Sequence, residues 1–193
     1  MSTIRLSWLL TVPMVISAVL TLAPMPKTSA AELTGQMMNR NTRLCMTSSG
    51  STTPGTPIVQ WPCDGSPNQQ WTAVTQALGG YILVNEGSSR SGHQWWCLNE
   101  RGGVAYEYNQ LVMWPCNGTA PYNDRFYGST GQNGGFKMAL ETSDLMPNGY
   151  CVTSGGNRMW GSKVYEWPCN RGPNQYWTQP GTYNPYSNDG RGN

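Results

Sequence analysis

The stretch "IVQWPCDGSPNQQWT", residues 58–72, decides the fold, because the chain writes it three times. The other copies are "LVMWPCNGTAPYNDRFY" from Leu111 and "VYEWPCNRGPNQYWT" from Val164. Trp61, Trp114 and Trp167 follow one another at intervals of 53 residues, and Cys63, Cys116 and Cys169 keep the same interval. An upstream cysteine precedes each of these, Cys45, Cys97 and Cys151, at gaps of 18, 19 and 18 residues. Self-similarity at a fixed period dictates architecture, since each copy is one structural unit and the units must bury their apolar faces together.

Ahead of the repeats, residues 1–30 read as a secretory signal. Arg5 is the positive n-region, "LSWLLTVPMVISAVLTLA" the apolar h-region, and "PMPKTSA" ends in small residues that suit cleavage after Ala30 or Ala31. A retained membrane anchor is the rival, but the run is barely long enough to span and Pro13 interrupts it. Arg5 and Lys27 leave with the signal. The 12 Lys+Arg of the whole chain then fall to 10 against 10 Asp+Glu, so the mature chain is near neutral. A neutral chain has no electrostatic hold on nucleic acid. The expected product is secreted, extracellular and without a membrane span.

An exported chain with six evenly paired cysteines implies disulfides. Fifteen connectivities are open to six cysteines. The repeat selects Cys45–Cys63, Cys97–Cys116 and Cys151–Cys169, each closing a short loop inside one repeat. A loop of this size stabilises by roughly 3 kcal/mol in the chain-entropy model.

Helix signals are weak, because Gly, Pro, Ser and Asn recur every few residues and no apolar stripe of helical period is sustained. Short apolar patches such as "TPIVQW" (56–61), "GGYILVN" (79–85) and "GGFKMAL" (134–140) read as strands between turns. Alternation in "IVQWPC" puts Val59, Trp61 and Cys63 on one face. The repeats run over about 32–76, 77–130 and 131–180, inside a domain spanning 31–180. The polar tail, 181–193, is expected to be disordered. Three all-β units of this size must share one core about a pseudo-threefold axis. A β-trefoil and a threefold β-prism both satisfy that demand, whereas propellers use at least four blades.

The segment "LCMTSSGSTTPGTPIVQWPCDGSPNQQWT" (44–72) resembles a repeat of the ricin B-type lectins, a family of β-trefoil carbohydrate-binding modules. The shared features are the early Cys, the Gly-Thr-Pro turn, the aromatic just before the second Cys and the closing Gln-x-Trp. That signature stands at Gln69-Gln70-Trp71 and Gln175-Tyr176-Trp177, and has become Asp124-Arg125-Phe126 in the middle copy. The resemblance implies an all-β, β-trefoil fold of three disulfide-stapled repeats. It also implies up to three shallow sugar sites, without cofactor or metal.

In each implied site an aromatic stacks on the C–H face of a sugar, and fixed polar groups take its hydroxyls. The stacking residues are Trp61, Trp114 and Trp167. The polar ones are Asn68 and Gln69, Asn123, and Asn174 and Gln175. The family's acidic residue, two positions after the first Cys, is replaced by Thr47, Asn99 and Thr153, so no copy has a carboxylate there. The competing structural readings are an aromatic packed beside a disulfide for the three Trp, and glutamines that partly tie down backbone. Trp71, Phe126 and Trp177 are expected to be core anchors. Of the adjacent Trp95 and Trp96, one should be buried and one exposed. Tyr106 and Tyr108 carry no assignment.

Nothing in the sequence assembles catalysis. His93 is the only histidine and reads as a turn residue. The ten acidic residues are scattered, with no acidic pair in the repeated segments. "NGT" at 117–119 is a glycosylation sequon, meaningful only in a eukaryotic secretory pathway. The expected protein is a monomeric, non-catalytic lectin for glycans or polysaccharide, gaining affinity from several weak sites at once. Repeats one and three should dominate, since the middle copy is altered at Asp124 and Phe126. The alternative is a trefoil that binds a protein chain, either as a toxin-delivery subunit or as a protease inhibitor.

Overall fold

The structure is a computed structural model that describes residues 33–76, 79–89, 94–116, 123–130, 136–141, 147–170 and 172–178. The expected signal, the tail from residue 181, His93 and the 117–119 sequon lie outside the described residues.

The repeated phrase folds as one arm of a hairpin, and the segment carrying the first cysteine is the other arm. Cys45–Thr47 pairs antiparallel with Val59–Trp61, Trp96–Asn99 with Val112–Pro115, and Pro147–Ser154 with Val164–Pro168. The register is the same each time: Cys45 lies opposite Trp61, Cys97 opposite Trp114, and Cys151 opposite Trp167. The second cysteine, two residues beyond the Trp, shares its face and sits diagonally from the first. Each hairpin is therefore closed by its own disulfide, Cys45–Cys63, Cys97–Cys116 and Cys151–Cys169, all with Cα atoms 5.0 Å apart.

Longer strands link the hairpins. Gln70–Thr75 pairs with Leu33–Gln36 and then with Tyr81–Asn85, carrying the first repeat into the second. Tyr81–Asn85 also pairs with Arg125–Thr130, which in turn pairs with Phe136–Glu141 at the start of the third. Helix is confined among the described residues to short turns, the one α-helical turn being Glu86–Ser89. None of the described helices is long and apolar enough to cross a membrane.

The core is built in threes. Met46, Leu98 and Val152, one after each first cysteine, are fully buried, as are Ile58, Leu111 and Val164, which open the three phrases. Trp71, Phe126 and Trp177 complete the layer, buried as expected of core anchors. The two indoles also find partners for their N–H: Trp71 Nε1 donates to Met46 O at 2.9 Å and Trp177 Nε1 to Val152 O at 3.0 Å. Phe126 has no N–H to give, so the middle copy lacks that tie. Trp96 is buried and Trp95 half exposed, so the adjacent pair splits between faces.

The three units close on one another at the axis. The Ile58 amide donates to Leu111 O (2.9 Å), Leu111 to Val164 O (3.0 Å) and Val164 to Ile58 O (3.1 Å). This triangle joins three residues spaced 53 apart in sequence. One side chain caps it: Gln110 Nε2 reaches Ile58 O at 2.7 Å, Val164 O at 3.0 Å and Leu111 O at 3.3 Å. The corresponding residues of the other repeats, Pro57 and Lys163, are exposed and leave the axis to Gln110.

Losing a buried amide that serves three carbonyls costs more than losing an ordinary hydrogen bond, because no water replaces it on a packed axis. Gln110→Ala is expected to destabilise the fold by about 2 kcal/mol in urea denaturation. Lys163→Ala, at the equivalent exposed position, should stay within about 0.5 kcal/mol.

Candidate functional site

The conserved register places each repeat's Trp beside a disulfide, yet it does not bury it. Trp61 is 42% and Trp114 45% exposed, and Trp167 is half-buried. Each tryptophan stands opposite a disulfide cysteine and keeps part of its surface in solvent.

In the first repeat Trp61 walls a cleft of about 350 Å³, lined also by Thr47, Ser49, Val59, Asp64, Ser66, Asn68 and Gln69. Four sequence-predicted residues therefore come together here: Thr47, Trp61, Asn68 and Gln69. They do not contribute equally. Gln69 is fully buried. Its Nε2 donates to Pro62 O at 2.7 Å, and its Oε1 accepts from Asp64 N at 2.9 Å and from Gln36 Nε2. Gln175 repeats the pattern, donating to Pro168 O (3.0 Å) and Thr153 Oγ1 (3.1 Å) and accepting from Asn170 N (2.7 Å). The glutamine of Gln-x-Trp is thus a clip that fixes the loop after the second cysteine. The amide atoms of Gln69 and Gln175 are engaged within the fold, chiefly with backbone, in line with the structural reading of these two residues.

The residues at the position where the family's acid is missing are likewise largely covered. Thr153 is fully buried, its hydroxyl donating to Cys151 O at 2.8 Å and accepting from Gln175. Thr47 donates to Cys45 O at 3.0 Å and is almost covered, and Asn99 is buried. The three asparagines instead share one role. Asn68, Asn123 and Asn174 donate from Nδ2 to the carbonyls of Ser48 (3.0 Å), Glu100 (3.4 Å) and Ser154 (3.4 Å), three residues after each first cysteine. Each closes its hairpin onto the loop that follows it, and all three remain half-buried, at the edge of the surface.

Sequence reasoning missed Asp64. It directly follows the second cysteine, whereas the family pattern directs attention to the residue two after the first. Asp64 is exposed in the cleft, and its Oδ1 accepts from Ser66 N at 2.8 Å. Hydrogen bonds from the Ser66 side chain and backbone hold its carboxyl below the usual aspartate value, so it is ionised over the whole neutral and mildly acidic range. Repeat one thus carries a carboxylate in the same cleft as its exposed tryptophan. Repeat three has the neutral Asn170 at the same place, with Oδ1 taken by Gly172 N.

The repeats also lend one another aromatics. Trp160, on the third repeat's loop, lies against Trp61 with ring centroids 5.6 Å apart. Tyr108, on the second repeat's loop, lies against Trp167 at 4.6 Å and Tyr165 at 5.2 Å. Met113, the residue before Trp114, pairs with the first repeat's loop at Gly55 and Thr56, and that loop carries no aromatic.

Acidic residues that look scattered in sequence also meet. Glu100 and Glu166 meet between the second and third repeats, near enough for each to perturb the other's proton. Burial pushes Glu100 up to about 7. Burial, reinforced by the neighbouring Glu100 charge, pushes Glu166 to about 9, so Glu166 keeps the proton. Glu166 is fully buried, and its carboxyl receives Tyr106 N (3.3 Å) and Asn109 Nδ2 (3.4 Å). Its oxygens therefore hold the Tyr106–Asn109 loop. No group of three metal-ligating side chains occurs among the described residues.

The comparisons with known proteins agree with this geometry. A family profile described as the ricin-type beta-trefoil lectin domain matches residues 33–144. The chain belongs to the ricin-type β-trefoil lectin family. No curated protein matches the sequence. Among solved structures, the designed threefold-symmetric protein ThreeFoil gives a TM-score of 0.65 at 18% identity, covering 75% of this chain and 96% of its own. The Macrolepiota procera ricin B-like lectin, solved in complex with lactose, gives 0.56 at 20% identity over 75% of this chain and 92% of its own. An exo-β-1,3-galactanase from Clostridium thermocellum gives 0.62 at 21% identity over 79% of this chain, which spans 30% of that enzyme. At such identities the likeness carries the fold, a β-trefoil, while each ligand or activity belongs to the protein named. Membership of a lectin family supports carbohydrate binding by this chain.

The acidic pair makes stability depend on pH. Both carboxyls bind protons more tightly in the folded chain than in the unfolded one, where Glu titrates near its ordinary value of 4.5. Unfolding then releases protons, and stability falls as pH rises from about 4.5 through about 7 and on towards 9. Scanning calorimetry should show Tm lower at pH 8 than at pH 5 by at least about 5 °C. Glu166→Gln, which mimics the protonated form, should flatten most of that difference.

Proposed function

We propose that the protein is a secreted, non-catalytic lectin that binds glycan or polysaccharide through unequal sites, the principal one in the first repeat. The observation that carries this reading is the cleft in which exposed Trp61 faces ionised Asp64, with Asn68 at its edge. A pyranose has one apolar face and a rim of hydroxyls. It suits a flat indole beside a charged acceptor, which makes a stronger hydrogen bond than a neutral one. Trp167 and Asn174 form a related but uncharged second site. Trp114, in the copy where Gln-x-Trp has become Asp124-Arg125-Phe126, is the weakest.

Export is supported by three disulfides with no free cysteine among the described residues, a pattern of oxidising compartments. Absence of catalysis is supported by the burial of Glu100 and Glu166, the acid pair that the fold brings together. Shallow sites of this kind gain strength together, so a repetitive glycan is a better ligand than a free sugar.

The test is a glycan array followed by pull-down on insoluble polysaccharides with the mature protein. Trp61→Ala should weaken binding about thirtyfold, the cost of about 2 kcal/mol typical of a central aromatic. Asp64→Asn should weaken it several-fold without moving Tm, and Trp167→Ala should weaken it measurably. Trp114→Ala should leave it within about twofold. Retention unaffected by any of the three tryptophan changes, with the fold intact by circular dichroism, would show that the ligand sits elsewhere.

A further inference from the structure

The first repeat's site does not end at its own repeat. Trp160 belongs to the third repeat, stands on the loop leading to the axis residue Val164, and is 65% exposed. The backbone fixes it there. Gly161 N donates to Gln60 O and Gln60 N to Ser162 O, both at 2.8 Å, so the loop is stitched to the strand that carries Trp61. Ser162 N closes the turn on Met159 O at 3.2 Å. Gly161 takes φ +80°, and a Cβ there would lie 3.9 Å from the Trp61 ring. A side chain at that position would be strained in this conformation and would sit against the indole. The loop therefore delivers Trp160 against Trp61 at 5.6 Å between centroids and a tilt of 49°, with both rings still open to solvent.

A large apolar ring held on a stitched loop and left two-thirds exposed serves no packing purpose. Its contact with Trp61 leaves most of its surface in water, where burial would have been favourable. Two tilted indoles side by side form a bent platform wider than one pyranose. Consecutive rings of a polysaccharide turn relative to one another about each glycosidic bond, and they present apolar faces at an angle to each other. From this geometry, and resting on the reading of Trp61 as a sugar-stacking residue, we infer that Trp160 is a second subsite. It stacks the sugar ring next to the one held by Trp61 and Asp64, so the ligand of this site is an oligosaccharide run and not a terminal monosaccharide. The Asp64 carboxylate lies in the Trp61 cleft, whose lining does not include Trp160. Charge-assisted recognition thus belongs to the first ring, and the second is held by stacking alone.

The experiment separates the two subsites by chain length. Wild type, Trp61→Ala, Trp160→Ala and Trp160→Tyr are titrated with xylose, glucose, N-acetylglucosamine and galactose, and with their β-linked di-, tri- and tetrasaccharides. Affinity is read by calorimetry, and near-ultraviolet circular dichroism verifies each fold. Wild type should gain affinity from one ring to two. Trp160→Ala should leave the monosaccharide affinity within about twofold while lowering that for the disaccharide and longer chains about tenfold. Trp160→Tyr, which restores a stacking face, should recover most of the loss. Equal loss at every length would make Trp160 a mere support for Trp61, and no loss at any length would make it irrelevant to sugar. Either result overturns the inference while Trp61→Ala still abolishes binding. If Trp61→Ala has no effect, or wild type binds none of these series, the reading of the site itself fails and the second subsite with it.

Discussion

The molecule depends on a triangle of three peptide groups. Ile58, Leu111 and Val164 each give an amide to the next and a carbonyl to the previous, and the circuit closes. Three hairpins with their own disulfides would otherwise be three marginal pieces, since a unit of about fifty residues buries too little surface to stand alone. At the triangle the backbone polar groups of all three are satisfied by one another, with Gln110 capping the carbonyls. The apolar residues at the same positions then fill the shared core. Loops three or four residues before each axis residue are carried onto the tryptophan three residues after the axis residue of another repeat. The cross-repeat pairs Trp160–Trp61 and Tyr108–Trp167 are products of that geometry.

The binding surface and the fold therefore use overlapping residues for different ends. The glutamines and asparagines of the repeated phrase engage their amides in the loop around the cleft, while Trp61, Trp114 and Asp64 keep exposed surface. The arrangement suits a preformed site: the clips hold the loop whether or not a ligand is present, so little ordering remains to be done on binding. Tyr108 shows the cost of the same economy. It takes φ +63°, a left-handed conformation that a bulky side chain adopts rarely. It is kept there by its amide bond to Glu166 O at 3.0 Å and by the rings of Tyr165 and Trp167.

Much of this was legible in the chain. Equal spacing of Cys and Trp fixes the hairpin pairing and the threefold count, because a covalent clip and a cross-strand neighbour are both local consequences of spacing. Burial of Trp71, Phe126 and Trp177 followed from the phrase as well. What could not be read is whatever depends on closure. Glu100 and Glu166 lie far apart in sequence, and only the meeting of repeats two and three makes them a pair. Trp160 has no aromatic counterpart in the first repeat's loop, so no repeat pattern marks it. At Gln69 and Gln175 the sequence leaves both readings open, because an amide before a Trp looks the same there whether it faces a sugar or a carbonyl. The direction is set by where Pro62 and Pro168 place their oxygens. Asp64 directly follows the second cysteine, a position that the family's spacing does not mark.

Gln110 has a consequence for how such a chain can change. It occupies a point that all three repeats share, and there is room on that point for one amide. A sequence repeated without variation would offer three glutamines for one place, or none. The cap can therefore exist only in a chain whose copies have diverged, with Pro57 and Lys163 standing aside. Perfect internal symmetry and an on-axis side chain are mutually exclusive. Part of what ties the three repeats together here depends on their having stopped being identical.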